Sequence, residues 1–251
     1  MSMDEKDLEN IRDDLLFLIH EKQDGKLANI LLSMHPSDIA DLLESIEDEE
    51  ARLYLFNLLD AESASNVILE MDDVTREGLV ENLEKARLTE LVDEMDSDDA
   101  ADFVSELSDE VAEEVLEKAE EENVEEVRQL LEHKEDTAGG LMALEIVIVR
   151  DDSTVDQAIA EIREKAEEVE DVYNVFVVDK DGRLVGTVTL KDLILAPGEK
   201  PVAEIMNRDV LSVPVGLDQE EVANFARRYD LVTIPVVDEK GRLMGRITID
   251  D

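Results

Sequence analysis

Through the first half of the chain an apolar residue returns about every twelve positions: Met34, Ile46, Leu59, Met71, Leu83, Met95 and Leu107. Eight and nine positions after each stands a largely apolar pair: Leu42-Leu43, Tyr54-Leu55, Val67-Ile68, Leu79-Val80, Leu91-Val92, Phe103-Val104 and Val115-Leu116. The fifth position is small or apolar (Ile39, Ala51, Ala64, Leu88, Ala100, Ala112), except where Arg76 takes it. The first position is mostly acidic, which suits the positive end of a helix dipole. Each unit therefore describes one short helix with an apolar stripe. Such a helix cannot bury its stripe alone, so neighbours must stack. The expectation is an all-α superhelix of short helical repeats over residues 1–135. A plain helical bundle is the competing architecture, and the regular spacing favours the superhelix.

From about Leu144 the period changes to that of strands. The runs EIVIV, YNVFVVD, LVGTVTL, VLSVPV, LVTIPVVD and LMGRITI are rich in β-branched residues. Between them lie the helical runs TVDQAIAEIREKAEEV and DQEEVANFARRY. Both open on a capping-box spacing, Thr154 with Gln157 and Asp218 with Glu221. DKDGRL and DEKGRL supply hairpin turns. This α+β half is also a duplication. VVDKDGRLVGTVTLKD recurs as VVDEKGRLMGRITIDD, so that Asp192 matches Asp251 at an offset of 59 residues. The expected boundaries are 136–197 for the first copy and 198–251 for the second, with the copies packed about a pseudo-twofold axis.

Composition removes several function classes. Lys and Arg number 24 against 68 Asp and Glu, a net charge of -44. A field of that sign repels phosphate backbones and anionic lipid, so nucleic acid is not an expected partner. Salt adaptation and cation binding are both compatible with it. Cysteine is absent, and the three histidines His20, His35 and His133 have no ligand spacing. Any metal should therefore be a hard cation held by oxygen. No apolar run is long enough to span a bilayer, and the N-terminus has no signal-peptide pattern. No catalytic triad spacing, P-loop or dinucleotide fingerprint is present, so no enzyme is expected.

Two motifs carry chemistry. The stretch MDSDDAADFVSEL sets Asp96, Asp98, Asp99 and Asp102 within two helical turns. Asp98 and Asp102 share a face, where like charges cost a few tenths of a kcal/mol. They read either as a solvated helix start or as groups awaiting a cation. Each copy of the duplication ends in Thr-x-x-Asp, Thr189 with Asp192 and Thr248 with Asp251. A hydroxyl and a carboxylate at that spacing, on a strand-to-helix turn, can hold a ribose diol. Asp192 can instead simply cap the helix that follows.

The duplicated Thr-x-x-Asp inside a repeated α+β unit resembles a pair of CBS domains, modules that commonly bind adenine nucleotides. The joint HKEDTAGGLMA, between an acidic helical superhelix and such a pair, resembles the cytosolic part of MgtE-type magnesium transporters. The resemblance covers nearly the whole chain. It implies a Mg2+-sensing region at the cytoplasmic face of the cell membrane, attached to its own transmembrane pore domain and dimeric through its CBS domains. Mg2+ would bridge acidic faces of the N domain and the CBS pair and favour a compact, pore-closing state. The residues that match the family's acidic positions are Asp98, Asp102, Asp218, Asp230 and Asp251. ATP is the second ligand implied, at Asn174, Lys191, Asp192 and Leu231. Asn174 and Leu231 stand where the family has aromatic residues for stacking on adenine. Against the family pattern the second copy lacks its last helix, so the chain is expected to be part of a larger transporter. The alternative is a CBS-type adenine-nucleotide sensor that regulates another membrane protein or an enzyme.

Overall fold

The computed structural model describes residues 5–165 and 174–248. The helical half runs as α1 (Glu5–His20), α2 (Asp24–Leu31), α3 (Pro36–Glu44), α4 (Glu49–Phe56), α5 (Ala61–Leu69), α6 (Asp73–Val80), α7 (Lys85–Asp93), α8 (Ser97–Glu106), α9 (Asp109–Leu116) and α10 (Glu121–Leu130). From α3 onward the twelve-residue period is one helix per repeat. The position-zero residue ends each helix in the same way. In all seven units its N–H donates to the carbonyl three residues back, as in Leu83 to Val80 and Leu107 to Val104. This tight turn satisfies a carbonyl that the helix end would leave orphaned.

The next residue or two start the following helix. The carboxylates of Asp48, Asp60 and Asp72 accept backbone N–H groups in the first turns of α4, α5 and α6. His35 does the same for α3 through Nδ1. The apolar stripe is buried as the spacing requires: Leu42, Leu43, Leu55, Val67, Ile68, Leu91, Val92, Phe103, Val104 and Val115 all lie in the core. Alternate helices pack on one another, α1 on α3, α3 on α5, α5 on α7 and α7 on α9, with α4 on α6 beside them. That succession is a stacked superhelix, with a helix pair as its structural repeat. Polar ties join segments two or three helices apart. Arg87 donates to the carbonyls of Leu59 and Asp60, Asp72 N–H to Glu44, and Glu120 N–H to Asp93.

The α+β half contains two three-stranded sheets of identical plan. In the first, β1 (Ile148–Arg150) runs parallel to β2 (Asn174–Val178), which is antiparallel to β3 (Leu184–Thr189). In the second, β4 (Val213–Pro214) runs parallel to β5 (Thr233–Val237), which is antiparallel to β6 (Leu243–Thr248). The helices are α11 (Val155–Glu164) and α12 (Leu190–Leu195) in the first copy and α13 (Gln219–Tyr229) in the second. Both hairpins carry a bulge at the same place, Val177/Val178 and Val236/Val237. Both turn on a glycine at φ 77°, Gly182 and Gly241, a conformation that L side chains rarely adopt. The two turns also bond reciprocally: Leu184 N–H donates to Gly241, and Leu243 N–H to Gly182. This exchange is the pseudo-twofold contact expected of a duplication.

Three local readings change. Paired strands are shorter than the β-branched runs; in EIVIV only Ile148 and Val149 belong to β1. Asp192 does not cap α12. Thr189 is the N-cap, accepting the Asp192 N–H. At Asp218 the carboxylate takes the Glu220 N–H, not the N–H three residues on that a capping box uses. Thr154 and Gln157 do form the full capping box.

By compactness the described chain divides into two units. One holds the residues up to Met95 together with Asp102–Val124, and the other holds Asp96–Ala101 with the chain from Glu125 onward.

Hydrogen bonds to carboxylates make this fold sensitive to acid. Asp238 accepts the N–H groups of Lys240 and Arg242, and Asp179 accepts those of Asp181 and Arg183. The backbone bond from Arg242 is the largest cause that holds the Asp238 carboxyl below its ordinary value, and the bond from Arg183 does so for Asp179. Lys118 and then Lys85 draw Glu114 down to about 2. A depressed folded-state pKa adds stability above the unfolded value, about 4 for a carboxyl, and loses it as pH falls through the folded value. The melting temperature of wild type should therefore exceed that of Asp238→Asn at neutral pH. The gap should narrow as pH falls below about 4, the unfolded value, and be lost as pH passes the lower folded value. A constant gap across that range would remove the charge from the explanation.

Candidate functional site

The acidic stretch folds as the start of α8. Asp96 sits one residue before that helix, and its carbonyl accepts the Ala100 N–H, as an N-cap residue does. Ser97 follows, and it is buried. Its N–H donates to Glu145 Oε1 at 3.0 Å and its hydroxyl to Glu145 Oε2 at 3.0 Å. The same hydroxyl oxygen accepts the Leu144 N–H at 2.9 Å. Glu145 is thus held by both oxygens beside the helix start. Asp96, Asp98 and Glu145, all half-buried, each offer a carboxylate oxygen, and the three atoms lie within 4.8 Å of one another.

A helix N-terminus favours negative charge, but three carboxylates that close repel. Oxygen donors of full negative charge and moderate exposure suit Mg2+, which keeps several waters and takes only a few carboxylates. Of the expected metal residues, Asp98 belongs to this group. Asp102 lies one turn further along α8, exposed, and is not in the group. Asp218 is an exposed helix cap. Asp230, also exposed, ends α13 in the left-handed region at φ 52°. Asp251 lies outside the described residues. Asp96 and Glu145 are members that sequence reasoning missed. Asp96 was visible in the acidic stretch, but Glu145 stands 48 residues from Ser97 and reads locally as the start of a strand run.

At the expected nucleotide position, Thr189 Oγ1 donates to Asp192 Oδ2 at 2.6 Å. Asn174 opens β2 directly across from Thr189 in the hairpin register. Lys191 and Asp192 are exposed on the first turn of α12. Leu231 is half-buried just after α13. None of these residues lines the cavity of about 630 Å3 in the second copy, whose walls include Leu141, Val222, Ile234, Ile247 and Thr248. In the first copy the matching positions Ala158, Val175 and Val188 belong to one buried core cluster with Leu193 of α12. The cavity is thus repeat core, and its walls say nothing about a nucleotide.

The profile of the MgtE intracellular N domain matches residues 34–136, and that of the CBS domain matches 138–199 and 202–251. The cytosolic domain of the Mg2+ channel MgtE, crystallised in complex with ATP, superposes with a TM-score of 0.89 at 34% identity, covering 95% of this chain and 97% of that one. The chain belongs to the MgtE family. The soluble part of a magnesium transporter superposes with a TM-score of 0.86 at 28% identity, covering 97% of this chain and 95% of the other. The magnesium transporter MgtE of Enterococcus faecalis is 39% identical over 94% of this chain and 52% of its own length. That of Thermus thermophilus is 48% identical over 49% of this chain and 27% of its own length. The chain thus spans about half of the first relative and about a quarter of the second. In MgtE terms, the carboxylate group joins the start of an N-domain helix to the segment that leads into the first CBS sheet.

Ser97 is the keystone of that arrangement. Ser97→Ala should cost about 1–3 kcal/mol, because it strips the acceptor from the Leu144 N–H and one donor from Glu145. Ser105→Ala, which removes an exposed bond within α8, should stay within about 0.5 kcal/mol. Urea unfolding of the two variants measures the difference.

Proposed function

We propose that this chain is the Mg2+-sensing regulatory region of a magnesium transporter, acting at the cytoplasmic face of the membrane on a pore domain of the same protein. The observation that carries the reading is the Asp96, Asp98 and Glu145 group, whose Glu145 is held by Ser97. The relatives named as magnesium transporters support it. The mechanism is electrostatic. At low Mg2+, a chain of net charge -44 repels itself. Mg2+ held between carboxylates offsets that repulsion and favours a compact, pore-closing state, with Asp102, Asp218, Asp230 and Asp251 as further carboxylates that meet the ion. Its role is regulatory, not catalytic. A second copy would pair through the CBS half, where α12 leaves Ile194 and Leu195 exposed.

Small-angle X-ray scattering across a Mg2+ titration, with ionic strength held by K+, tests this. The radius of gyration should fall cooperatively at millimolar Mg2+. Asp98→Asn combined with Glu145→Gln should raise the midpoint about tenfold or more, since affinity follows ligand charge. An unchanged midpoint would discard the site, and an equal response to K+ would discard the sensor.

ATP sensing is a second, compatible reading, favoured by the Thr189–Asp192 pair and by the related domain crystallised with ATP. Asp192 would hold the ribose and Lys191 the phosphates, beside Asn174 and Leu231. Calorimetry should give a measurable Kd for ATP, weakened about tenfold or more in Asp192→Asn, the scale of a lost charged hydrogen bond. Equal affinity in the variant would place the nucleotide elsewhere.

A further inference from the structure

Arg76 breaks the repeat, and the structure shows what the break creates. Every other unit puts a small or apolar residue at this position, and most are buried: Ile39, Ala51, Ala64, Leu88 and Ala100. Arg76 instead places a largely buried guanidinium there. Its Nη2 donates to Asp73 at 3.1 Å and to Glu106 at 2.7 Å. Its Nε is buried without a hydrogen-bond partner among the described residues. Beside it opens a groove of about 810 Å3 within the helical unit, between α6, α7, α8 and α9. Leu83, Leu88 and Phe103 are buried in its floor, while Val80, Leu107 and Val111 are half-buried along it.

The rim breaks two local rules. Glu77 and Glu81 line the groove four residues apart at the C-terminal end of α6, and both are exposed. Like charges at that spacing repel, and acids at the negative end of a helix dipole are disfavoured. Neither carboxylate has an ion-pair partner among the described residues, whereas the groove's cations are already engaged, Arg76 with Asp73 and Glu106 and Lys85 with Glu114. The groove therefore offers an apolar floor, two uncompensated anions at the rim and one buried N–H that lacks an acceptor.

We propose that this groove docks a basic amphipathic peptide segment of a partner protein. Such a ligand brings all three complements: apolar side chains for the floor, Lys or Arg for Glu77 and Glu81, and, at the last turn of a helix, free backbone carbonyls that can accept from Arg76 Nε. A polyamine has no acceptor and little apolar surface. A fatty acid brings a carboxylate to a rim that is already anionic. An amphipathic helix laid in an apolar groove is an established recognition mode, and the volume falls in the range of ligand sites.

The test uses the full chain and a labelled Leu/Lys peptide patterned as an amphipathic helix, followed by fluorescence anisotropy near physiological ionic strength. Binding should saturate. Glu77→Lys combined with Glu81→Lys should weaken it about tenfold or more, while the equal charge change Glu49→Lys with Glu50→Lys, far along the repeat, should change it about twofold or less. Arg76→Leu, which restores the apolar character of the position, should weaken binding while the thermal melt stays cooperative. Equal losses from the two double reversals would overturn the proposal in favour of bulk charge. So would displacement by spermidine or dodecanoate at the concentrations at which unlabelled peptide displaces, and so would the absence of saturable binding.

Discussion

Helices of eight to ten residues are too short to persist alone in water, and α2 to α10 are all of that length. Everything in the first half follows from that shortage. Since propensity cannot hold them, tertiary burial must, and the twelve-residue period delivers it by presenting the same stripe from every unit. The period also encodes the ends. A position-zero residue closes one helix with a three-residue-back hydrogen bond, and an acidic residue just beyond opens the next. Eight residues of helix and a four-residue junction leave no slack for a loop. The direction of the chain is reset each time by the same tight turn, and alternate helices fall into stacked layers.

The second half reaches order by a different route. Each three-stranded sheet is small, and one face alone would bury little. The two copies solve this by exchange at their turns, where Gly182 and Gly241 carry the left-handed backbone and lend their carbonyls to the opposite copy. A further close approach supports the arrangement. Gly245 lies so near the Ala143 carbonyl that a Cβ there would sit 2.5 Å from it. A side chain at that position would push apart the Ala143–Arg246 bridge, whose paired hydrogen bonds hold the entering segment to β6. The glycine in each LVGTV- or LMGRI-type strand is thus required by packing as much as by the duplication.

What could be read in the sequence was whatever repeats. The twelve-residue period fixed the helices, their stripe and their acidic starts. The 59-residue offset fixed the hairpins, the turn glycines and the Thr-x-x-Asp pair, which the structure presents as a formed hydrogen bond between Thr189 and Asp192. What could not be read was whatever occurs once. Ser97 and Glu145 meet across 48 residues, and no local pattern joins a serine inside an acidic run to the glutamate that opens a β-branched run. The same contact explains why EIVIV is not one strand. Ala143 pairs with Arg246 and Glu145 turns to Ser97, so ladder pairing with β2 begins only at Ile148. Arg76 was visible as the exception to its position. That it would frame a groove depends on the neighbours it displaces, and those are known only once the helices are stacked.

The placement of the scarce cations completes the argument about charge. Arg52 on α4 donates to the carbonyls of Leu43 and Ile46 at the end of α3, and Arg87 on α7 donates to those of Leu59 and Asp60 just after α4. These two cations thus meet carbonyls at or just beyond a helix end, and the acidic caps Asp48, Asp60 and Asp72 stand at positive ends, as the dipoles favour. Placed in this way, a few cations tie the repeat together, but the 24 of the whole chain cannot balance its 68 acids. The surplus is built into the chain, and only ions from solution relieve it. Monovalent ions do so diffusely, by screening. A divalent ion acts instead where carboxylates converge, as those of Asp96, Asp98 and Glu145 do at the start of α8. In the sensing role proposed above, an equilibrium strained by its own charge and relieved at such points would respond to divalent concentration more sharply than to salt, because only the state in which those points are assembled would bind the ion with advantage.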